Sequence, residues 1–294
     1  MSFSSQAREE LCRVPIQRDC CAAAELYGAL LCANTFSARE VRVVTALPEL
    51  ARRLNRLLRR CFGFEFETAA GAGERSRSVL RLRNPERVRA VFNRFGYEPE
   101  TLLAHHVNLG VLEESHCRAA FFRGSFLAGG SVADPARRWH LELVTDHRNV
   151  AGEALALLLE MGFAPGNTQR GGRYVLYLKK HEAIEEFLGI IGATGAAMEV
   201  MNAQIEREMR NRVNRALNCD SANADRIVEA AAKQREKIRA LDLDALPPEL
   251  RELALLRIAN PAASLTDLAS LSDPPLSRSA VNHRMRKLMA WGEE

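Results

Sequence analysis

A repeated stripe of small side chains constrains this sequence most. The segment AAAELYGALLCA carries Ala24, Gly28 and Cys32. The segment CRAAFFRGSFLAGG carries Ala120, Gly124 and Ala128. Each triplet is spaced i, i+4, i+8, and the two are offset by 96 residues (120 minus 24, 124 minus 28, 128 minus 32). On a helix that spacing lines small residues along one face. A backbone can approach such a face closely, so each stripe predicts a helix that packs on its twin.

The segments that follow each stripe also match. Glu40 to Ala46 and Trp139 to Thr145 alternate apolar and polar residues and read as strands. Helices are predicted next, over Leu47 to Cys61 and His147 to Met161, each ending at Gly-Phe. Two short strands follow in each copy. They run over Phe64 to Thr68 with Ser76 to Arg83, and over Phe163 to Gln169 with Arg173 to Leu178, joined by GAG and RGG turns. A helix closes each copy, at Pro85 to Phe95 and His181 to Ile191. The order α-β-α-β-β-α therefore occurs twice.

The remainder reads as helical. Ala197 to Leu217 forms an Arg-rich helix, the string NCDSAN from Asn218 to Asn223 is expected to break it, and a second helix runs from Ala224 to Leu241. Leu246-Pro247-Pro248 marks a boundary, and Glu249 to Ala259 forms another helix stopped by Asn260-Pro261. Ser264 or Thr266 caps a short helix, Asp273-Pro274-Pro275 turns the chain, and Ser277 caps a last helix to Met289. Two short helices around a tight turn, the second basic, form a helix-turn-helix pattern.

That last helix can be phased. Val281, Met285 and Leu288 fall at i, i+4, i+7 and form its core face. Ser279, His283 and Arg286 lie about half a turn away, flanked by Asn282 and Lys287, with no acid among them. The predicted DNA-binding residues are Ser277, Arg278, Ser279, Asn282, His283, Arg284, Arg286 and Lys287. Asn282 suits bidentate pairing with adenine, and Arg286 or Arg278 with guanine. Arg284 and Lys287 suit phosphate, and His283 can donate to either. The plainer alternative is a basic terminal helix of a bundle.

The whole reads as α+β, divided into residues 1–110 and 111–196 as the two halves of a duplicated domain, 197–241 as helical linker, and 242–294 as the all-α helix-turn-helix domain. Two domains suit 294 residues. With 47% hydrophobic and 27% charged residues the composition is globular and not disordered. No apolar run is long enough to span a membrane, and the N-terminus lacks a secretory h-region, so a cytoplasmic protein is expected. A net charge of +4 permits an anionic partner without demanding one. Between Ala51 and Arg94, however, twelve arginines face four glutamates, and Leu276 to Ala290 is basic without acids; together they hint at one long polyanion. The seven cysteines show no C-x-x-C pair and no close Cys/His cluster. They read as buried reduced thiols, with no metal and no cofactor expected.

The two stripe helices resemble degenerate LAGLIDADG motifs of homing endonucleases, at Leu26 to Asn34 (LYGALLCAN) and Phe122 to Gly130 (FRGSFLAGG). The resemblance implies helices packed at a central interface, strands forming a saddle on duplex DNA, and one carboxylate at each motif end to hold the divalent ions that cleave a phosphodiester. That chemistry needs hard oxygen ligands. Here Ala33 and Gly129 occupy the acid positions, so no catalytic residue is expected. Asp134 lies near the second motif but sits in a Val-Ala-Asp-Pro turn, and Glu25 sits at the wrong end of its helix.

A two-motif region followed by a helix-turn-helix resembles the WhiA family of bacterial transcription regulators. The strings RGSFLAGGSV with Asp134-Pro135, LELVTDHRNVA, RNRVNRALNCDSAN and DPPLSRSAVNHRMRKL carry the match. One departure is Asn34-Thr35, where Gly-Ser is expected. Membership implies sequence-specific binding of promoter DNA, a nucleoid-associated location, and a role in cell division, chromosome segregation or sporulation. It also implies contact with an iron-sulfur partner regulator or RNA polymerase. Two alternatives stand beside it: a metal-dependent endonuclease with displaced ligands, and a repeat domain that binds protein.

Overall fold

The computed structural model describes residues 2–70 and 77–292. The chain divides between Arg207 and Glu208 into two compact units. The first opens with α1 (Phe3–Arg13), whose N-terminus is capped by Ser2 Oγ accepting from Ser5 N. This helix buries Phe3, Ala7, Leu11 and Cys12. The duplicated part follows: α2 (Asp19–Leu31), β1 (Thr35–Phe36), β2 (Val41–Thr45), α3 (Pro48–Phe62), β3 (Glu67–Ala70), β4 (Ser78–Leu82) and α4 (Pro85–Arg94). Its second copy is α5 (Ser115–Gly129), β5 (Gly130–Val132), β6 (Leu141–Thr145), α6 (Arg148–Glu160), β7 (Gly166–Arg170), β8 (Arg173–Leu178) and α7 (His181–Ile191).

The two copies build two four-stranded antiparallel sheets with the same strand order, β1-β2-β4-β3 and β5-β6-β8-β7. The central strands bury alternate residues in identical phase. Val41, Val43 and Thr45 face inward on β2, as do Leu141, Leu143 and Thr145 on β6. That is the period-2 pattern of a sheet with one covered face. The short outer strands β1 and β5 were not anticipated: two or three residues are too few to show alternation. The predicted GAG turn lies outside the described residues.

α2 packs on α5 and is buried along almost its whole length. The contact is backbone to backbone. A Cβ on Gly28 would collide with the Phe121 carbonyl, and one on Gly124 would collide with the Glu25 carbonyl. Gly28 and Gly124 are the repeat equivalents, so each helix supplies the gap that the other fills. Ser125 Oγ lies 3.0 Å from Phe121 O, its donor turned back into its own helix.

Glu25 is likewise structural. It is 2% exposed, and Arg53, fully buried on α3, bonds both of its carboxylate oxygens, with Nη2 2.7 Å from Oε2. Arg123 adds a second cation at 3.2 Å. Arg53 also donates to the carbonyls of Cys12 and Val14, which ties α1 to the pair.

The chain continues into α8 (Thr194–Arg239), one uninterrupted 46-residue helix. The break expected at NCDSAN is absent. Asn, Asp and Ser each cost only about 0.5–0.7 kcal/mol relative to Ala inside a helix, and the string contains neither Gly nor Pro. The boundary between units falls inside this helix, within the span read as linker. The second unit adds α9 (Pro248–Ala259), α10 (Leu265–Leu271) and α11 (Arg278–Ala290). Its core is Ile238, Leu246, Leu250, Leu253, Ala254, Leu268, Ala269, Val281, Met285 and Leu288. Among the described residues no helix is long and apolar enough to cross a membrane.

Candidate nucleic-acid interface

Local sequence sets the geometry of the last two helices. Ser264 and Asp267 form a reciprocal capping box at the start of α10: Asp267 N donates to Ser264 Oγ at 3.2 Å, and Ser264 N donates to Asp267 Oδ2 at 2.8 Å. These bonds hold the Asp267 carboxyl below its ordinary pKa. Of the two expected caps, Ser264 is the one used. The turn is closed by Leu276 N donating to Ala269 O at 2.9 Å. Ser277 then caps α11, accepting from Ala280 N at 3.2 Å.

Val281, Met285 and Leu288 are buried, as phased from the sequence. Burial of side chains this size contributes about 1.5–3 kcal/mol each, which anchors the helix and fixes its rotation. The opposite face is therefore held outward. Ser277, Arg278, Ser279, His283, Arg286 and Lys287 are exposed, and Asn282 is half-buried. Arg284 differs from the rest. It is half-buried, and its Nη2 lies 3.2 Å from Glu249 Oε2 on α9, so it braces the two helices. Ser277 is likewise engaged, as the cap.

Beside α11 lies a hollow of about 380 Å³ lined by Arg226, Arg257, Arg278, Ser264 and Thr266, among others. Arg257 is buried. Its Nη1 donates to Ala263 O at 2.5 Å, while Nε has no hydrogen-bond partner. Burial, and then Arg235, lowers its pKa. Arg226 and Arg257 were not among the predicted residues. They are distant in sequence from the helix-turn-helix, and nothing in their spacing points to it.

The predicted basic stretch between residues 51 and 94 is largely neutralised within the fold. Arg53 is buried on Glu25. Arg52, Arg59, Arg60 and Arg89 pair with Glu49, Glu65, Asp19 and Glu100, and Arg81 and Arg83 pair with Glu40. Among the described residues, the arginine excess in sequence thus overstates the free positive charge in space.

At the motif tips a hollow of about 270 Å³ is lined by Arg8, Ala33, Asn34, Gly129, Asp146 and Arg173 with their neighbours. Ala33 offers no side-chain ligand. A Cβ at Gly129 would collide with the Val144 carbonyl and stand 2.9 Å from Cys32 Cβ, so an acid does not fit there. Asp146, the carboxylate lining this hollow, pairs with Arg173 at 3.1 Å. Arg8 reaches across to the Gly130 carbonyl. Two arginines and one neutralised acid do not fit a pair of divalent cations. Asp134 caps its own turn, accepting from Ala136 N at 2.9 Å. At the departure Asn34-Thr35, Asn34 Oδ1 accepts from Val44 N at 2.7 Å and holds β2 by a side chain.

The reading of the cysteines as buried reduced thiols needs correction: only Cys12 and Cys117 are buried, and Cys20 and Cys219 are exposed. The sequence shows no close Cys/His cluster, yet the fold gathers Cys20, Cys21, His116 and Cys117, with their ligand atoms all within 4.8 Å of one another. Spacing along the chain could not reveal it, because the two halves of the group are brought together only by the packing of α2 on α5.

Comparison with known proteins agrees with this architecture. Residues 118–210 match the model of the WhiA LAGLIDADG-like domain, and residues 213–291 match the WhiA C-terminal HTH domain. A probable cell division protein WhiA of Ruminiclostridium cellulolyticum is 36% identical, covering 98% of this chain and 96% of its own length. One from Heliobacterium modesticaldum is 35% identical, covering 100% and 96%. The crystal structure of full-length WhiA from Thermotoga maritima superposes with a TM-score of 0.61 at 23% identity, covering 100% of this chain and 98% of that one. The duplicated domain, the helix-turn-helix and relatives matched along the whole length lead to one conclusion: the chain belongs to the WhiA family.

Proposed function

We propose that this protein is a sequence-specific double-stranded-DNA-binding transcription regulator in which α11 reads the major groove, acting in cell division, chromosome segregation or sporulation. One observation carries the reading. The face of α11 opposite Val281, Met285 and Leu288 is exposed, basic and free of acids. Arg278, Asn282, His283 and Arg286 read base edges, and Lys287 contacts phosphate. Exposed Arg226, at the rim of the hollow, extends the cationic surface for the backbone. Arg284, paired to Glu249, positions the helix and does not itself bind phosphate. The relatives' naming as probable cell division proteins supports the biological role.

The motif tips support a scaffold without nuclease chemistry, since their donor set repels divalent cations. The test is footprinting on genomic fragments, followed by binding of the Asn282→Ala variant to the site found. The variant loses roughly 1–3 kcal/mol of discrimination at one base pair and keeps its non-specific affinity. Unchanged selectivity would mean that α11 is not the reading helix.

A further inference from the structure

The 96-residue repeat places two residue pairs in register at the start of the central helices: Cys20 and Cys21 in the first turn of α2, His116 and Cys117 in the first turn of α5. Cys20 corresponds to His116 and Cys21 to Cys117 (116 minus 20 and 117 minus 21 both give 96). Close packing of the two helices turns this register into one cluster. His116 Nδ1 lies 3.4 Å from Cys21 Sγ and 3.2 Å from Cys117 Sγ. We propose that Cys20, Cys21, His116 and Cys117 form a structural zinc site that pins the N-termini of the two central helices together.

The donor set fits the ion. Three thiolates and one imidazole form a closed tetrahedral set of the kind zinc takes in structural sites. With bonds of about 2.3 Å to sulfur and 2.0–2.1 Å to nitrogen, tetrahedral ligand atoms stand roughly 3.5–3.8 Å apart. His116 Nδ1 already stands within a few tenths of an ångström of this spacing from two of the sulfurs, and since all four ligand atoms lie within 4.8 Å of one another, the remaining separations close by at most about 1 Å. Softness excludes magnesium and calcium, which prefer oxygen.

The charge fits as well. Three thiolates and one Zn²⁺ leave a net charge of −1. Two helix N-termini converge on that charge, and each favours an anion in its first turn. Cys20 is exposed and opens a path for the ion, while Cys117 is buried and closes the far side.

Burial pushes the Cys117 thiol up to about 12, so without metal that thiol is protonated. Binding forms three Zn–S bonds and one Zn–N bond, and the three thiol protons pass to solvent. The exposed Arg18 guanidinium stands 2.5 Å from His116 Nε2. With zinc on Nδ1 that nitrogen carries the proton, so Arg18 swings away.

The experiment loads the full-length reduced protein with Zn²⁺ alone, removes excess metal, and measures metal by mass spectrometry. Co²⁺ serves as the spectroscopic probe. The parent retains about one zinc per chain and releases about three protons on binding. Its cobalt form shows tetrahedral thiolate bands. Cys20→Ser and His116→Ala weaken retention by more than the roughly 10–100-fold that losing an outer hydrogen-bond partner costs. Cys61→Ser and Cys219→Ser, outside the four ligands, leave it unchanged. Because Cys20 is exposed, its variant folds whether or not Cys117→Ser does, and circular dichroism checks this. Three results would overturn the site: negligible zinc in the parent, undiminished retention in Cys20→Ser and His116→Ala, or a disulfide among Cys20, Cys21 and Cys117 in the zinc-treated protein.

Discussion

At the scale of single residues, the fold reassigns several side chains whose chemistry alone suggested something else. Glu25 looks like a spare carboxylate in sequence, and in space it neutralises Arg53 and Arg123 in the core. Arg284 looks like a phosphate ligand and is tied to Glu249. His105 is the residue that most clearly couples the fold to pH. It is buried against Phe36, Phe92 and Tyr97, stacks edge-on to His147, and its Nε2 lies 2.7 Å from Phe36 O. Burial first, then the neighbouring His147, lowers its pKa from the ordinary 6.5 to about 4, with His106 adding to the shift. The unfolded chain therefore takes up a proton near pH 6.5 that the folded protein refuses until about pH 4. Stability from this group is complete above 6.5 and falls as the pH drops toward 4, by on the order of 3 kcal/mol. Denaturant unfolding at a series of pH values shows this loss in the parent. His105→Phe flattens the profile, leaving the smaller contribution of His147, whose pKa burial also lowers. An equally steep profile in the variant would place the proton elsewhere.

At the scale of elements, the small-residue stripe is the feature that sequence and structure share most completely. Its spacing predicts twin helices in close contact, and Gly28 and Gly124 meet the opposite backbone. Gly124→Ala puts a methyl into the Glu25 carbonyl, and neither rigid helix can retreat without opening the core. The expected cost lies at or above the upper end of the 1–3 kcal/mol typical of overpacking, read as a lower denaturation midpoint. Gly152→Ala on α6 is the control: its added methyl meets nothing within 4 Å, and Ala is the better helix former. A fall in stability of equal size for both would argue against the close approach. Longer elements were legible to within a residue or two, because a dozen residues repeat their period several times. β1 and β5 were not, and neither was the continuity of α8 through NCDSAN, where weak local preferences give way to the helix on either side.

At the scale of the whole molecule, binding to a polyanion depends on which cations stay free after folding. The arginines between residues 51 and 94 are mostly spent on partners within the first unit. The helix-turn-helix surface leaves Arg226, Arg278, Arg286 and Lys287 exposed. With Arg278 and Arg286 on base edges, Arg226 and Lys287 make the phosphate contacts, and the logarithm of affinity falls with the logarithm of salt at a slope of roughly −2. Titrations at several salt concentrations measure it, and a slope twice as steep would bring the first unit's arginines back into contact with DNA. The sequence by itself determined the duplication, the missing acids at Ala33 and Gly129, and the buried and open faces of α11. All of these are local periods and residue identities, which short-range geometry converts directly into structure. Only the tertiary structure decided which arginines remain free, that Glu25 is a core counter-ion, and that Cys20, Cys21, His116 and Cys117 meet. Most of those depend on contacts between residues distant along the chain, and such distances close only when the elements pack against one another.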